Sequence, residues 1–175
     1  MDYITKPLSR KQIRFFANVF REIFGVEPTG RFPVLDALDI FPEVFPGSYY
    51  EIVENSELPD NVPARCIPTG PETFIIQIAE SVYSGAYERN VGGFNAHILH
   101  EMCHTFLYAI GYTPLLNRSF KNGVIKPYES VEWQAKALCG EILMPYEETK
   151  GMPVAKLMSN YGVSKDAAKK RFSIK

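Results

Sequence analysis

Apolar and polar positions along the chain follow two patterns, one typical of helices and one of short strands. Apolar residues recur at helical spacing between Ser9 and Gly25, and again between Tyr128 and Met144 before Pro145. Three β-like runs, at 48–54, 64–67 and 73–78, are separated by Pro, Asn and Gly turns. Further short helices are predicted at 34–40, 80–90, 153–160 and 164–173, and a lid or binding loop at 112–127. The pattern predicts an α+β fold with a small antiparallel or mixed sheet packed on helices and a helical C-terminal tail.

The segment from Asn95 to Ile110 has the clearest helical pattern. On a helical wheel its apolar residues fill one side, and the polar residues His97, His100, Glu101, His104, Thr105 and Tyr108 fill the other. All three histidines of the chain therefore lie on one face of one helix.

His100, Glu101 and His104 form an HExxH motif on that face. Histidines at i and i+4 lie one above the other, close enough to bind a single metal ion. Glu101 points beside such an ion, where it is able to hold and deprotonate a metal-bound water. The alternative is a surface helix whose polar residues have no common role.

A third ligand is needed, because catalytic zinc is usually held by three protein ligands with one open position. Cys103 falls on the apolar side of its helix, where free cysteine is common in cores. In the 128–144 helix, Glu132 lies within the apolar stripe, Glu129 at its border and Glu141 well outside. A carboxylate directed into a core is costly unless it is paired or bound to metal. We therefore predict Glu132 as the third ligand, the alternative being a glutamate that reaches solvent or pairs with a lysine.

These motifs together resemble the ImmA/IrrE family of metallopeptidases. The HILHEMCH segment (97–104) precedes ESVEWQAKALCGEILMP (129–145), and IIQIAESVYSGAYERN (75–90) is similar to the family's segment before the metal helix. The resemblance covers residues 73 to 173. In two places the chain departs from the family pattern: Cys103 replaces a usual glycine, and Gly93 to His97 replace the usual Arg-Phe-Thr approach, so His97 is peculiar to this chain.

The resemblance implies a zinc-dependent endopeptidase with a zincin-like helical core. Zn²⁺ would be held by His100, His104 and Glu132, with Glu101 as the catalytic base. The length of 175 residues predicts a single domain over 1–175, which with the resemblance becomes a metallopeptidase domain made of the N-terminal helix and start of the sheet (1–72), a metal-binding core (73–150) and a helical tail (151–175). His97 and Tyr108 are candidates for supporting or substrate-facing roles. The oxyanion donor remains open among Tyr108, Arg118 and Tyr128.

The resemblance also implies a protein substrate. Members of the family cleave or inactivate helix-turn-helix repressors of prophages, mobile elements or stress regulons, so the expected partner is such a transcriptional repressor. Three widely spaced cysteines, no apolar run of membrane-spanning length and no signal-peptide core predict a soluble cytoplasmic protein without a membrane partner. The sequence leaves the oligomeric state open.

Two other functions compete with proteolysis. Residues 154–172 read as helix, Gly-Val-Ser turn and basic helix, which is the pattern of a DNA-binding helix-turn-helix. The modest basic charge, in a chain of net charge -1, argues against direct DNA binding. The other alternative is a regulator that sequesters its partner without cutting it. A nucleobase deaminase is excluded, because the chain has no Pro-Cys-x-x-Cys ligand pair.

Overall fold

The computed structural model describes residues 2–89, 92–115 and 125–174. They form an α+β fold with a three-stranded sheet, as predicted. The strands are β1 (Tyr49–Val53), β2 (Ala64–Pro68) and β3 (Phe74–Ala79). The helices are α1 (Arg10–Ile23), α2 (Val34–Asp39), α3 (Phe41–Val44), α4 (Glu80–Arg89), α5 (Gly92–Ala109), α6 (Val131–Leu143), α7 (Tyr146–Thr149), α8 (Val154–Tyr161) and α9 (Lys165–Ser173).

The sheet is mixed, with β3 in the centre. β1 pairs with β3 in parallel and β2 pairs with it antiparallel. The inward side chains of β3, Phe74, Ile76 and Ile78, are fully or almost fully buried. Helix α5 packs against β2, so the edge strand of the sheet lies beside the helix that carries the HExxH motif.

Helix α6 lies against both α1 and α5. Helix α1 begins at the predicted N-cap, where Ser9 and Gln12 form a capping box. The buried guanidinium of Arg21 on α1 donates hydrogen bonds to the carbonyls of Glu27, Thr29 and Gly30 and to that of Ile142 in the last turn of α6. A cation at this end of α6 is favourable, because the C-terminus of a helix carries partial negative charge.

Two predictions about the metal-binding helices need correction. The helix predicted from Tyr128 begins at Val131, because residues Pro127–Glu129 form a 3₁₀ turn instead. The division of α5 into two faces does not separate buried from exposed residues. His104 and Thr105 on the polar side are buried, since β2 packs over them, whereas Ile110 on the apolar side is 41% exposed just beyond the end of the helix.

The C-terminal helices pack into the same hydrophobic core as the rest of the chain. Leu157, Tyr161, Val163 and Ala168 are all buried in it. The turn between α8 and α9 lies against the start of α5, so closely that a Cβ atom at Gly92 would overlap the carbonyl oxygen of Gly162.

The predicted loop at 112–127 lies largely outside the described residues, since 116–124 are not among them. Its beginning is tied to the N-terminal segment by hydrogen bonds from Leu115 N to Ile4 O and from Thr5 Oγ1 to Thr113 O. In the part of the chain that the structure describes, no helix is long and apolar enough to cross a membrane.

Candidate metal centre

His100, His104 and Glu132 converge at the contact between α5 and α6. The Nε2 atom of His100 lies 3.3 Å from Oε2 of Glu132, and Nε2 of His104 lies 3.2 Å from its Oε1. The two Nε2 atoms are 3.1 Å apart. The histidines sit one turn apart on α5, and Glu132 is in the first turn of α6. The structure thus brings together the three residues predicted as ligands.

The spacing of these atoms fits a tetrahedral metal ion. With metal–ligand bonds of about 2.05 Å, any two ligands of a tetrahedron are about 3.3 Å apart. The two Nε2 atoms, at 3.1 Å, are close to this spacing, and Glu132 presents a different carboxylate oxygen to each imidazole, at 3.3 and 3.2 Å. Each of the three residues is a usual metal ligand, and one donor atom from each lies within 4.8 Å of the others, so the group could hold a metal ion.

The ionisation states also suit a cation. Hydrogen bonds with His100 and His104 hold the pKa of Glu132 well below its usual range, so its carboxylate is charged at neutral pH. Burial lowers the pKa of His100 more than its contact with Glu132 raises it, so its imidazole is neutral. Anionic carboxylate and neutral imidazole are the forms that bind metal.

Glu101 lies next to the triad without belonging to it. Burial, with a smaller contribution from the Glu132 carboxylate, raises the pKa of its carboxyl to about 7, while His104 and a backbone hydrogen bond from Cys66 on β2 oppose the shift. A divalent cation on the neighbouring imidazoles favours the ionised form, so the pKa falls when metal binds. Glu101 is therefore placed as the motif predicts, beside the ligands rather than among them.

One polar atom of the triad is not satisfied. If His104 binds metal through Nε2, its proton must be on Nδ1, and metal-binding histidines usually donate that proton to an acceptor. Nδ1 of His104 is buried, and it has no hydrogen-bond partner within the described ranges. The ring is instead positioned by packing, with Tyr108 at 5.7 Å between ring centroids.

The N-terminal segment holds the first turn of α6. Oδ2 of Asp2 accepts a 2.6 Å hydrogen bond from the Ser130 hydroxyl, and Oδ1 accepts a 3.2 Å bond from the backbone N–H of Glu132. Ser130 itself caps the helix by accepting from Trp133 N. Sequence reasoning missed Asp2, because only a long-range contact brings it to α6. Ser130 was identifiable as an N-cap that lies just before an apolar run.

The other predicted site residues fall in different places. His97 is exposed one turn before His100, on the same side of α5. Tyr108 lies one turn after His104 and is partly buried; burial and the charges of Cys66, Glu132 and Glu101 raise its pKa, so its hydroxyl keeps its proton. Tyr128 is 42% exposed in the 3₁₀ turn before α6. Arg118 lies outside the described residues.

The burial argument used to choose Glu132 was wrong, although the structure places Glu132 at the histidines. Its side chain is 37% exposed, whereas that of Glu141, predicted to lie outside the apolar stripe, is 1% exposed. Glu141 is buried because Arg171 donates two 3.0 Å hydrogen bonds to its carboxylate oxygens. Cys103 is fully buried, as predicted from its place on the wheel.

Comparisons with known proteins leave the family open. No protein-family model matches this chain, and no curated protein is similar to it. The resemblance to ImmA/IrrE metallopeptidases therefore stays a prediction from the motifs, and the function has to be argued from the site.

Proposed function

We propose that this protein is a zinc-dependent endopeptidase. The observation that carries the proposal is the convergence of His100 Nε2 and His104 Nε2, 3.1 Å apart, on the Glu132 carboxylate, whose two oxygens lie 3.3 and 3.2 Å from them. A zincin-like hydrolytic site consists of two imidazoles, one carboxylate and an acidic residue directly after the first histidine.

The donor set favours zinc. Two neutral imidazoles and one carboxylate suit Zn²⁺ better than Mg²⁺ or Ca²⁺, which prefer oxygen ligands. When bound, the ion supplies a Lewis acid that polarises the scissile carbonyl and acidifies a water. His100, His104 and Glu132 would hold it, and three protein ligands are the number found in catalytic zinc sites.

Glu101 acts as general base and then as general acid. Its carboxylate accepts a proton from the attacking water and passes it to the nitrogen of the leaving amine. The environment suits both roles, because burial is the main cause that raises the pKa of the carboxyl to about 7, near the pH at which the proton is exchanged. A carboxylate with an ordinary pKa would be a poorer acid in the second step.

Strand β2 offers a place for the substrate backbone. It is at the edge of the sheet and packs beside α5, where the Sγ atom of Cys66 lies 3.4 Å from the Thr105 hydroxyl. The free edge of a strand binds an extended peptide through main-chain hydrogen bonds. A peptide held there would pass along the face of α5 that carries the triad.

Of the two candidate oxyanion donors within the described residues, Tyr108 and Tyr128, Tyr108 is the better placed. It is on the metal-binding face of α5, and its hydroxyl is protonated and close enough to Glu101 and Glu132 for their charges to raise its pKa. A protonated phenol is able to donate a hydrogen bond to the oxygen that becomes negative in the transition state.

The substrate proposed from the family resemblance is a helix-turn-helix repressor protein. A regulator that binds the same partner without cutting it would need the same surface, so substitution of the base separates the two. Glu101→Gln keeps all three ligands and removes the base.

The test combines metal content with peptide cleavage. Purified wild-type protein is expected to hold close to one zinc per chain and to cleave a library of unstructured, internally quenched peptides. Glu101→Gln is expected to hold the same zinc with cleavage lowered about 1000-fold, the middle of the range for loss of general acid–base catalysis. Zinc-loaded wild-type protein that cleaves neither the library nor any repressor added to it would contradict the peptidase proposal.

A further inference from the structure

We propose that a groove between the metal centre and α9 binds an apolar, acidic segment of the protein substrate. This inference rests on the proposed peptidase function, because it assigns the groove to the chain on one side of the scissile bond. Helix α9 would then form a wall of the substrate site, rather than a DNA-recognition helix.

The groove is lined by one of the three triad residues. It is a cavity of about 620 Å³ that contains the metal ligand His100 and also His97 at one end. Trp133 and Ala137 of α6 line one wall, and Ala167 and Lys170 of α9 line the opposite wall. His97 therefore faces the position of the substrate, one turn from a ligand.

The lining is mainly apolar at the base and positive at the rim. Small and apolar side chains such as Ala96, Leu143 and Met144 form much of the surface. Four of the lining residues are cationic, Arg10, Lys136, Lys170 and Arg171, whereas only Glu141 and Asp166 are anionic. Arg10 and Arg171 both lie at Glu141, and Lys136 lies 3.8 Å from Glu132, but cations still exceed anions in the lining by four to two, which favours a carboxylate in the occupant.

The wall formed by α9 is held in place by buried contacts. Arg171 donates to both carboxylate oxygens of Glu141 and through Nε to the Thr149 hydroxyl at 2.8 Å. Its guanidinium also lies 5.1 Å from the ring centre of Tyr146. A pre-formed wall lowers the entropic cost of binding a flexible peptide.

The groove has a built-in reporter and a matched pair of lysines. Trp133 is the only tryptophan of the chain, so its fluorescence reports occupancy. Lys170 lines the groove, and its neighbour Lys169 is also exposed on α9 but is not part of the lining. Reversing either charge changes the net charge of the protein equally, so a difference between the variants reports the groove itself.

The experiment uses full-length, zinc-loaded Glu101→Gln protein and two blocked peptides, one with alternating Leu and Asp/Glu and one with alternating Leu and Asn/Gln. The acidic peptide is expected to change Trp133 fluorescence and to bind more tightly than the neutral one. Lys170→Glu is expected to weaken its binding about fivefold, as for a partly exposed charge pair, and Lys169→Glu to leave it unchanged. Ala167→Phe, which fills the groove, is expected to abolish the signal.

Three outcomes would overturn the groove proposal. They are equal effects of Lys170→Glu and Lys169→Glu, equal binding of both peptides, and no binding of either peptide. These outcomes are separate from failure of the peptidase proposal. If wild-type protein cleaves nothing but binds the acidic peptide in a way that depends on Lys170, the groove proposal is supported and the peptidase proposal is wrong. If library peptides are cleaved without a preference for acidic residues at a fixed position, the peptidase proposal is supported and the groove proposal is wrong.

Discussion

Helix α6 carries two glutamates, Glu132 and Glu141, whose environments are opposite. Glu132 in the first turn is 37% exposed and faces two imidazoles at 3.2 and 3.3 Å. Glu141 in the last turns is 1% exposed and is surrounded by the guanidiniums of Arg171, Arg14 and Arg10 at 3.0, 3.6 and 3.9 Å. The carboxylate that is more deeply buried is the one that has no place in the metal centre.

The difference shows that the residues a carboxylate contacts, more than its burial, distinguish a metal ligand from a structural carboxylate. Arginine has no lone pair to share with a metal, and its permanent charge satisfies a buried carboxylate. Histidine donates through the same nitrogen that binds metal, so a carboxylate facing two imidazoles is part of a site that a cation is able to occupy. Glu141 is therefore expected to stabilise the fold, and Glu132 to bind the metal.

The largest effect on the fold is expected from Glu141→Gln. The substitution keeps the shape of the side chain but leaves a buried guanidinium unpaired, which costs about 3–5 kcal/mol when a buried pair is broken. Only Arg171 is as deeply buried as Glu141, so Arg10 and Arg14 contribute less. The free energy of unfolding in urea measures this loss on metal-free protein, and zinc affinity of the folded variant should be unchanged.

The exposed pair of Glu147 and Lys150, 2.9 Å apart, provides the control for that prediction. Glu147→Gln removes a carboxylate from a shorter contact that is open to solvent, and it is expected to change stability far less. A Glu141 variant as stable as the Glu147 variant would show that the buried cluster does not hold α9 against α6.

The converse effect is expected from Glu132→Ala. Loss of a direct ligand should lower zinc affinity by more than about 100-fold. Even mutation of a residue that only hydrogen-bonds to a ligand typically lowers metal affinity by about 10 to 100-fold. The stability of metal-free protein should change little, since this carboxylate is partly exposed. Zinc at 100 times the dissociation constant should stabilise wild-type protein by about 2.7 kcal/mol and leave the variant nearly unaffected at the same concentration.

Thermal unfolding with and without zinc measures this difference. Glu129→Ala is the matched control, because Glu129 is the neighbouring acidic residue that the sequence placed at the border of the apolar stripe. If Glu129→Ala loses zinc and Glu132→Ala retains it, the ligand assignment is wrong.

The contrast between the two glutamates also shows what is predictable from the sequence. The HExxH spacing is local, so it fixed the positions of His100, Glu101 and His104 on one helix face. The choice of Glu132 depended on a contact between two helices, which the sequence does not show. The helical wheel favoured Glu132 because it placed this carboxylate in the core, and that premise was wrong. A helical wheel does not show which other elements pack against the helix. Strand β2 buries His104 and Thr105 on a polar face, and arginines from α1 and α9 bury Glu141.

The same limit applies to the ends of the elements. Strands and helices were predictable where their periodicity was strong, and the mixed sheet was among the expected arrangements. The start of α6 was placed three residues early, because residues 127–129 form a 3₁₀ turn that the apolar pattern does not reveal. The strap of residues 2–5 across that start depends on backbone hydrogen bonds to residues 129 and 131, which no local pattern predicts.

A smaller effect is expected from Asp2→Ala. The carboxylate of Asp2 binds Ser130 and the N–H of Glu132, so its loss removes a cap from α6 and a negative charge from the positive end of the helix. Loss of an N-cap costs about 1 kcal/mol. Zinc affinity should fall less than tenfold, because Glu132 is still present but its helix turn is less well held.

Asp2→Asn separates the two contributions, since the amide keeps an acceptor and loses the charge. It is expected to lie between wild type and Asp2→Ala in urea unfolding and in zinc titration. An Asp2→Ala protein with wild-type stability and zinc affinity would show that the strap does not support the Glu132 end of α6.

The smallest effect is expected from Lys136→Gln, and its sign is informative. Lys136 Nζ lies 3.8 Å from Oε2 of Glu132, one helical turn away, and is 71% exposed. The lysine competes with a metal for the charge of that carboxylate, so its removal should raise zinc affinity about twofold and change stability by less than about 0.5 kcal/mol. The gain should disappear in 1 M NaCl, where charges are screened within about 3 Å. Lys169→Gln, equally exposed on α9, should show no gain at either salt concentration. Weaker zinc binding by Lys136→Gln would instead mean that the lysine positions Glu132, and that this end of α6, like the Glu141 end, depends on a cation to hold its carboxylate.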